Sequence, residues 1–295
     1  MTDRRGFILG ATTVALSSAA SATGAVAATS AGSPLRIAHL CDPQFGFITG
    51  KPGMAHRAKE NYEKNYKADL ARCEKAIELI NEEKPDLLLF GGDMTQWAKD
   101  IPLEWTRLLK SVKVPWMVTP GNHDFEYFPN HGPGKVSLDR FRKVFGRDYE
   151  SRDIKGWRVI AGNSQFWHPT ELKDEQTAYE EWLARELETA KSYGGRVILA
   201  THIPPFAFTP DEKDSYDNCP TTLRTKRLEA YLAASARFML TAHQHRLVLR
   251  AYKDMTILTG EAMCANMDLR PQGFRLFEVK DDFTYSYNFV TVKER

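Results

Sequence analysis

The 295-residue chain has few cysteines, no strong excess of charge and no long apolar run beyond its first thirty positions. Lysine and arginine number 40 against 38 for aspartate and glutamate, so there is no basic footprint of the kind that binds nucleic acid. No later segment approaches the length that crosses a bilayer. These shortages leave a soluble, globular composition, 42% hydrophobic and 26% charged, that can bury one large core or two small ones.

The cysteines form no Cys-x-x-Cys pair and therefore no obvious disulfide framework. They allow three pairings, and the sequence does not choose among them. Their positions at a predicted strand end and on a predicted helix favour buried free thiols, although an oxidising compartment permits a disulfide. The four residues are Cys41, Cys73, Cys219 and Cys264.

The first residues have the layout of a bacterial export signal. Residues 4–8 contain two arginines before Phe-Ile, residues 9–20 are weakly apolar, and small residues at 25–27 suit cleavage. The paired arginines resemble a twin-arginine signal, and a disordered tail is the alternative. The sequence predicts a signal peptide over 1–27, one folded domain over 34–295, and a periplasmic or secreted mature protein without a transmembrane anchor.

Apolar runs and helical periodicity alternate through the chain. Runs at 35–40, 86–90 and 114–118 predict buried strands, and the stretches 61–83 and 103–111 between them have helical spacing. This alternation predicts a parallel sheet with crossover helices. Further helices are predicted at 136–145 and 175–191, and further strands at 157–161, 197–200 and 238–241.

After residue 245 the pattern changes to closely spaced strands with tight turns. The runs 247–252, 255–259, 274–279 and 283–291 predict an antiparallel series that closes a second sheet. Long loops over a site are predicted at 48–60, 125–135 and 206–222.

Five predicted strands end in side chains that can hold a metal ion. A single such residue is more often a hydrogen-bonded turn residue, but ligands bind at the carboxyl edge of parallel strands. Burying so many polar groups together is unfavourable unless an ion pairs with them, and mixed Asp, Asn and His suit Mn, Fe or Zn. The strand ends carry Asp42 with Gln44; Asp93; Asn122 with His123 and Asp124; His202; and His243 with His245.

Two ions fit this set better than one. Seven potential ligands suit two four- to six-coordinate ions, and the carboxylate of Asp93 can bridge them. His243 and His245 point to opposite sides of an extended backbone, so both reach the site only if a turn redirects them. A pair of ions about 4 Å apart can hold a hydroxide and clamp both oxygens of an in-line displacement at phosphorus.

These motifs, in this order, resemble the calcineurin-like metallophosphoesterases over nearly all of the chain after the signal. The resemblance implies an α/β fold of two mixed β-sheets packed as a sandwich flanked by helices. It also implies hydrolysis of phosphate esters with two divalent ions, chosen among Mn, Fe, Zn and Mg. The matching residues are Asp42, Gly92-Asp93, Gly121-Asn122-His123-Asp124, His202 and His243-Gln244-His245.

The resemblance also implies a role for each residue. His123 would lie beside the substrate phosphate and protonate the leaving oxygen, with Asp124 positioning its ring. One ion would be held by Asp42, Gln44, Asp93 and His245, and the other by Asp93, Asn122, His202 and His243.

Two positions depart from the family pattern. Gln44 stands where most members have histidine, and Ala242 stands where the last motif usually opens with glycine. An amide oxygen in place of an imidazole shifts the preference from Fe or Zn toward Mn or Mg without abolishing the site. The Asp-Pro-Gln-Phe-Gly motif at 42–46 resembles a subgroup in which some members are phosphoprotein phosphatases.

The expected substrate is a phosphorylated small molecule or a phosphoprotein, with phosphomonoesters favoured. Phosphodiester hydrolysis, or non-catalytic binding of metal or a phosphate ligand on this fold, are the alternatives. Arg246 and Arg270 are candidates for contacting a phosphate oxygen, although solvated arginines explain them equally well. With imidazoles at their usual pKa of about 6.5, activity is expected to fall below that pH. Aromatic residues near the strand ends are expected to anchor loops rather than to grip substrate; they are Trp97, Phe125, Tyr127, Phe128, Phe166, Trp167, Phe206 and Phe208.

Overall fold

A computed structural model describes residues 32–46, 59–96, 104–125 and 132–293 of the chain. The predicted signal peptide and most of the predicted loops 48–60 and 125–135 lie outside the described residues. Within the described part, no helix is both long enough and apolar enough to cross a membrane.

The structure confirms the predicted alternation of strands and helices in the first half of the chain. The strands are β1 (Leu35–Leu40), β2 (Leu87–Phe90), β3 (Trp116–Val118), β4 (Glu150–Ile154), β5 (Trp157–Ala161), β6 (Val197–Ala200), β7 (Phe238–Thr241), β8 (Val248–Tyr252), β9 (Met255–Thr259), β10 (Gly273–Val279) and β11 (Tyr285–Thr291). The helices are α1 (Lys59–Glu83), α2 (Glu104–Ser111), α3 (Lys135–Phe145), α4 (Lys173–Ala190) and α5 (Thr221–Ala233).

The strands form two mixed sheets, as predicted. The first has the order β11-β10-β1-β2-β3, and the second has the order β4-β5-β6-β7-β9-β8. Strands β1, β2 and β3 are parallel, as are β5, β6, β7 and β9. The carboxyl ends of each parallel set therefore lie at one edge of their sheet.

The side chains of β2 show how the layers are held together. Leu87 and Leu89 belong to a buried cluster that also contains Ile198 and Leu240 of the second sheet. Leu88 and its neighbours on the opposite face belong to a cluster shared with the helices. Successive side chains of a strand point to opposite faces, so each central strand is covered on both sides.

The prediction that the last four strands form one antiparallel series is wrong. β8 and β9 join the second sheet, where β9 is parallel to β7, whereas β10 and β11 join the first sheet beside β1. Local turns specify each hairpin but not the sheet edge that it joins. The burial of Phe277 and Val279 of β10 between the two sheets decides that choice.

Two elements were absent from the predictions. β4 is an edge strand with the sequence Glu-Ser-Arg-Asp-Ile, so it has no apolar run to reveal it. α5 has the buried arginines Arg224 and Arg227 on its inner face, which interrupt the apolar periodicity of a typical amphipathic helix. All four cysteines are buried free thiols in the structure, in line with the favoured interpretation.

Candidate dinuclear metal centre

The predicted ligands meet where the carboxyl ends of β1, β2, β3, β6 and β7 converge. Backbone hydrogen bonds join the loops that follow these strands: Gln44 donates to the Asp93 carbonyl at 2.9 Å and Ala242 to the His202 carbonyl at 2.9 Å. The His243 backbone donates to Oδ2 of Asp42 at 3.3 Å, which links the second sheet to the first. The site therefore lies at the junction of the two sheets.

Five of the site residues have left-handed backbones. They belong to the eleven non-glycine residues with positive φ in the described part of the chain. Such conformations typically cost about 1–3 kcal/mol each and persist only where the surroundings impose them. The expected turn that redirects His243 and His245 is thus present. The five are Asp42 (φ 47°), Gln44 (φ 37°), Asp93 (φ 52°), His243 (φ 72°) and His245 (φ 48°).

One group of ligand atoms surrounds His202. The Nε2 atom of His202 lies 3.1 Å from Nδ1 of His243, 3.1 Å from Oδ1 of Asn122 and 3.4 Å from Oδ2 of Asp93. The ligand atoms of Asp93, His202 and His243 all lie within 4.8 Å of one another. We call this group the His202 site.

A second group surrounds Asp42. Ligand atoms of Asp42, Asp93 and His245 lie within 4.8 Å of one another, with Nε2 of His245 3.5 Å from Oδ1 of Asp42. Gln44 is beside this group, because its Nε2 lies 3.2 Å from Oδ2 of Asp93 and its Oε1 lies 3.5 Å from Sγ of Cys264. We call this group the Asp42 site. Asp93 belongs to both groups, so its carboxylate is placed to bridge two ions.

The outer nitrogens of the three imidazoles all meet backbone carbonyls. Nδ1 of His202 lies 2.8 Å from the Gly91 carbonyl, Nε2 of His243 lies 3.1 Å from that of Tyr216, and Nδ1 of His245 lies 2.9 Å from that of Ala265. A carbonyl only accepts, so each outer nitrogen carries the hydrogen. The inner nitrogen of each ring is left as a potential ligand, which is the usual arrangement around metal-binding histidines.

A buried carboxylate oxygen lacks a hydrogen-bond partner at the same place. Oδ1 of Asp42 is fully buried and accepts no hydrogen bond among the described residues. Burying a charged oxygen without a partner is costly, and a cation removes that cost. The orphaned oxygen and the inward-facing imidazoles fit two divalent ions held by mixed oxygen and nitrogen donors.

The metal-free chain compensates the buried charges with protons. Burial raises the pKa of Asp42 well above its usual value. For His202, burial lowers the pKa but the Asp93 and Asp42 carboxylates outweigh it, so the pKa rises to about 9. Burial lowers the pKa of His243 far below its usual value and that of His245 to about 4. Two imidazoles are thus neutral, as ligation requires, and His202 must lose a proton to bind an ion.

His123 and Asp124 lie in a 3₁₀ turn, Asn122–Asp124, after β3. Asp124 was expected to position the His123 ring. In the structure its carboxylate accepts hydrogen bonds from the backbone of Gly121 at 2.8 Å and of Thr95 at 3.2 Å, and its effect on the ring stays a prediction. Nδ1 of His123 lies 3.1 Å from the Gln96 carbonyl, which orients the ring. Asp124 therefore fixes the shape of the turn, because short polar side chains readily bond nearby backbone amides.

Neither candidate arginine is built into the site. Arg246 is exposed beside His245, and its Nε donates to the Gln244 carbonyl at 3.2 Å. Arg270 lies 3.4 Å from Glu261, which it shares with Arg275, and 3.1 Å from Asp268, so it is already ion-paired within the protein. A role for Arg246 in substrate binding stays a prediction, and the structure favours surface ion pairing for Arg270.

The candidate aromatic residues in the described part mainly anchor loops, as expected. Phe125, Phe166, Trp167 and Phe206 are buried, whereas Phe208 is 68% exposed. Trp97, Tyr127 and Phe128 lie outside the described residues.

Tyr216, which was not among the predicted site residues, touches two predicted ligands. Its hydroxyl accepts a hydrogen bond from Nδ2 of Asn122 at 2.7 Å, and its ring lies 4.6 Å from the His243 ring. The only signal in the sequence was its place within the predicted loop 206–222, which is confirmed to lie against the site.

The unusual Ala242 is accommodated by a neighbouring glycine. A Cβ atom at position 91 would lie only 3.0 Å from the Ala242 methyl group. Because Gly91 has no side chain, the methyl group fits without displacing β2.

A family model described as calcineurin-like phosphoesterase matches residues 35–247. The chain therefore belongs to the calcineurin-like phosphoesterase family and is a hydrolase of phosphate esters. It is 26% identical over 258 residues to the serine/threonine-protein phosphatase CPPED1 of Rattus norvegicus, covering 83% of this chain and 80% of that protein. It is 25% identical over 252 residues to CPPED1 of Pongo abelii, covering 81% and 78%.

Solved structures support the fold. A dimetal phosphatase from Danio rerio superimposes with a TM-score of 0.58 at 13% identity, covering 88% of this chain and all of that one. Both the two-sheet architecture and its flanking helices are thus those of metallophosphoesterases.

Proposed function

We propose that this protein is a metal-dependent phosphomonoesterase acting on a phosphoprotein or a phosphorylated small molecule. The observation that carries the proposal is the pair of ligand groups that share Asp93. Its relatives named serine/threonine-protein phosphatase support the preference for monoesters. The subgroup motif at 42–46 supports it further.

Some residues of the site would hold the metal ions, and another would transfer a proton. One ion would be held by Asp42, Gln44, Asp93 and His245, and the other by Asp93, Asn122, His202 and His243. Two ions bound there supply an activated water nucleophile and polarise the phosphate oxygens. No serine or cysteine nucleophile lies among the motifs, so direct hydrolysis without a phosphoenzyme is proposed.

His123 is the proposed proton donor to the leaving oxygen. It is half-buried at the edge of the site, and its backbone amide donates to Oδ1 of Asp93 at 2.8 Å. Its Nδ1 hydrogen is directed to the Gln96 carbonyl, so proton exchange with substrate would occur at Nε2. This placement supports general-acid catalysis next to the bridging carboxylate.

Mn²⁺ is the proposed ion of the Asp42 site. Gln44 supplies an amide oxygen where most of the family supplies an imidazole, and oxygen donors favour the harder ions. In the structure the Gln44 amide directs Nε2 toward Asp93. A half-turn of this amide would present Oε1 to the ion and leave Nε2 facing the sulfur of Cys264, 3.5 Å from the present Oε1.

The proposal is tested by measuring metal content together with hydrolysis of an aryl phosphomonoester and an aryl phosphodiester, with and without added Mn²⁺. We expect two metal equivalents, chelator-sensitive turnover and faster cleavage of the monoester. Asp42→Asn should lose both metal and turnover, whereas His123→Ala should lose turnover and keep metal. Faster cleavage of the diester would favour phosphodiesterase activity. A relative from Dictyostelium discoideum is named sphingomyelinase phosphodiesterase C. It is 22% identical over 270 residues, which cover 73% of this chain and 59% of that protein.

Two bound equivalents without hydrolysis of either ester would favour a non-catalytic binder on this fold. Bound metal of one equivalent or none, with no hydrolysis, would contradict the proposal and mean that Gln44 has abolished the chemistry.

We also propose that residues 1–27 direct export by the twin-arginine route, on the sequence pattern described above. The expected result is cleavage before Ala28 and recovery of the mature chain outside the cytoplasm of a bacterial host. Replacing both arginines (Arg4→Lys with Arg5→Lys) should retain the full-length chain inside the cell. Export of that double variant at the normal level would contradict the proposal.

A further inference from the structure

The loop between β6 and α5, residues 203–220, is held in one shape by a buried arginine. Arg224 is 1% exposed. Its Nε donates to the Cys219 carbonyl at 2.9 Å, and its Nη1 donates to the carbonyls of Pro210 at 3.1 Å and Glu212 at 2.5 Å. A guanidinium that bonds three carbonyls of one loop fixes their relative positions.

Acidic and amide side chains hold the same loop from inside. The Glu212 carboxylate accepts backbone hydrogen bonds from residues 207, 208 and 209. Asn218, which is 1% exposed, donates to Glu212 at 2.6 Å and accepts from the Ser215 amide at 3.0 Å. These hydrogen bonds fix the backbone at Ser215 and therefore the position of the residue that follows it.

That residue is Tyr216, and it meets the His202 site at two points. Its hydroxyl accepts from Nδ2 of Asn122 at 2.7 Å, and its main-chain carbonyl accepts from Nε2 of His243 at 3.1 Å. Asp217 adds a carboxylate oxygen 3.6 Å from the same Nε2. Both predicted ligands are thus oriented by a loop that contributes no ligand of its own.

The hydroxyl pairs with the nitrogen end of the Asn122 amide. Because Nδ2 is directed to Tyr216, Oδ1 is directed to the His202 site, where it lies 3.1 Å from Nε2 of His202. An amide turned the other way would present a donor, which does not bind a cation. When Oδ1 faces a cation, Nδ2 faces the Tyr216 hydroxyl, which accepts its hydrogen and so stabilises the metal-binding orientation.

The Asp42 site has a different support. His245 donates to the Ala265 carbonyl, and Gln44 lies against Cys264, so both are held by the segment after β9. Among the described contacts the 203–220 loop reaches ligands of the His202 site alone. The loop at 203–220 therefore supports the His202 site and the segment after β9 supports the Asp42 site, although the two sites share Asp93.

We propose that Tyr216 is a positioning residue for one of the two metal ions, the one at the His202 site. The inference rests on the dinuclear centre of the proposed function. Loss of an outer partner of a metal ligand typically weakens metal binding about 10- to 100-fold. Tyr216→Phe removes the hydroxyl alone and leaves the main-chain carbonyl on His243 in place.

The test is calorimetric titration of the metal-free full chain with Mn²⁺. Wild type should bind two ions, and Tyr216→Phe should weaken one of them at least tenfold while the other changes by less than about twofold. Asn122→Ala should weaken binding of the same ion, which identifies that ion as the one at the His202 site. The double variant should bind no worse than Asn122→Ala, because the hydroxyl acts only through the amide.

Tyr252→Phe is the matched control. Its hydroxyl also makes a 2.7 Å hydrogen bond, but to Glu229 on α5. Thermal unfolding of the metal-free variants checks that the fold is retained, and the expected affinities of Tyr252→Phe are those of wild type. Unchanged affinities in Tyr216→Phe, or additive losses in the double variant, would overturn the inference alone. Failure of wild type to bind two ions would overturn the dinuclear proposal and this inference together.

Discussion

Gln44 is the residue that most distinguishes this site from the usual family pattern. It has a left-handed backbone (φ 37°) and is fully buried between Asp93 and Cys264. A strained, buried amide is retained only where its surroundings impose it. Its place at the Asp42 site makes it the residue through which metal preference can be changed.

Gln44→His should shift the Asp42 site from Mn²⁺ toward Zn²⁺. An imidazole nitrogen is a softer donor than an amide oxygen, so the ratio of Zn²⁺ to Mn²⁺ affinity should rise by about tenfold or more. Competitive binding of the two ions to the metal-free chain measures this ratio. Gln272→His is the control, because it adds an imidazole to a half-buried loop position that is not one of the predicted ligands. An unchanged ratio in Gln44→His would contradict a ligand role for position 44.

His202 makes metal binding depend on pH in a range that the sequence does not predict. An unperturbed imidazole places the dependence near pH 6.5, but the Asp93 and Asp42 carboxylates outweigh burial and raise the pKa of His202 to about 9. An ion must displace this proton, so apparent affinity should rise with pH by up to about tenfold per unit between about pH 6 and pH 8.

Mn²⁺ titrations across that range, with proton release recorded in parallel, check the expectation. In His202→Asn the remaining dependence should be shallower, since no imidazole is left at that position to deprotonate. An affinity that stays flat from about pH 6 to pH 8 in wild type would show that His202 is already neutral in the metal-free chain.

The turn after β3 packs against the turn after β2 so closely that only glycine fits at position 121. A Cβ atom there would overlap the carboxylate and the backbone nitrogen of Asp93. Gly121→Ala should therefore displace the shared carboxylate, remove both ions and abolish phosphatase activity.

Metal content and turnover of Gly121→Ala are compared with those of Gly32→Ala, where the nearest atom to an added Cβ is an ordinary 3.8 Å away. The control should behave as wild type. Two tightly bound ions in Gly121→Ala would mean that Asp93 can move without losing its bridging position.

The two sheets and their helices bury an imidazole whose protonation is energetically unfavourable. His39 lies in β1 with Nδ1 2.8 Å from the Tyr287 hydroxyl and Nε2 3.2 Å from Sγ of Cys41. Burial, assisted by the charge of Arg275, lowers the pKa of His39 to about 3. The fold therefore contains this imidazole in its neutral form.

Acid should destabilise the metal-free molecule through His39. The unfolded chain takes up the proton near pH 6.5 and the folded chain only near pH 3, so this group's contribution is complete above about 6.5 and is lost as pH falls toward about 3. The slope approaches about 1.4 kcal/mol per pH unit. Urea unfolding of His39→Gln, in chelator, should show a smaller loss of stability between about pH 6.5 and pH 4.

Tyr287→Phe separates titration from hydrogen bonding. It removes the hydroxyl partner of His39 and keeps the imidazole and its contact with Cys41, so stability should fall at every pH while the slope is retained. An identical slope in His39→Gln and wild type would show that His39 does not account for the acid sensitivity.

Sequence alone determined the order of the ligands, the family and all strands except β4. Apolar runs that end in Asp, Asn or His are local patterns. They can be recognised in the sequence because the strands that carry them are buried on both faces and are therefore apolar along their length; these strands are β1, β2, β3, β6 and β7. The charged edge strand β4 and helix α5 with its buried arginines escaped prediction because their sequences lack the expected apolar pattern.

Tertiary structure decided the features that depend on contacts between distant parts of the chain. The last strands divide between the two sheets because β10 is buried between them, beside β1. Tyr216 reaches Asn122 across 94 positions of sequence, and the Asp124 carboxylate accepts hydrogen bonds from the backbone amides of Gly121 and Thr95. Such contacts are fixed by the packing of whole layers, which no local window of sequence contains.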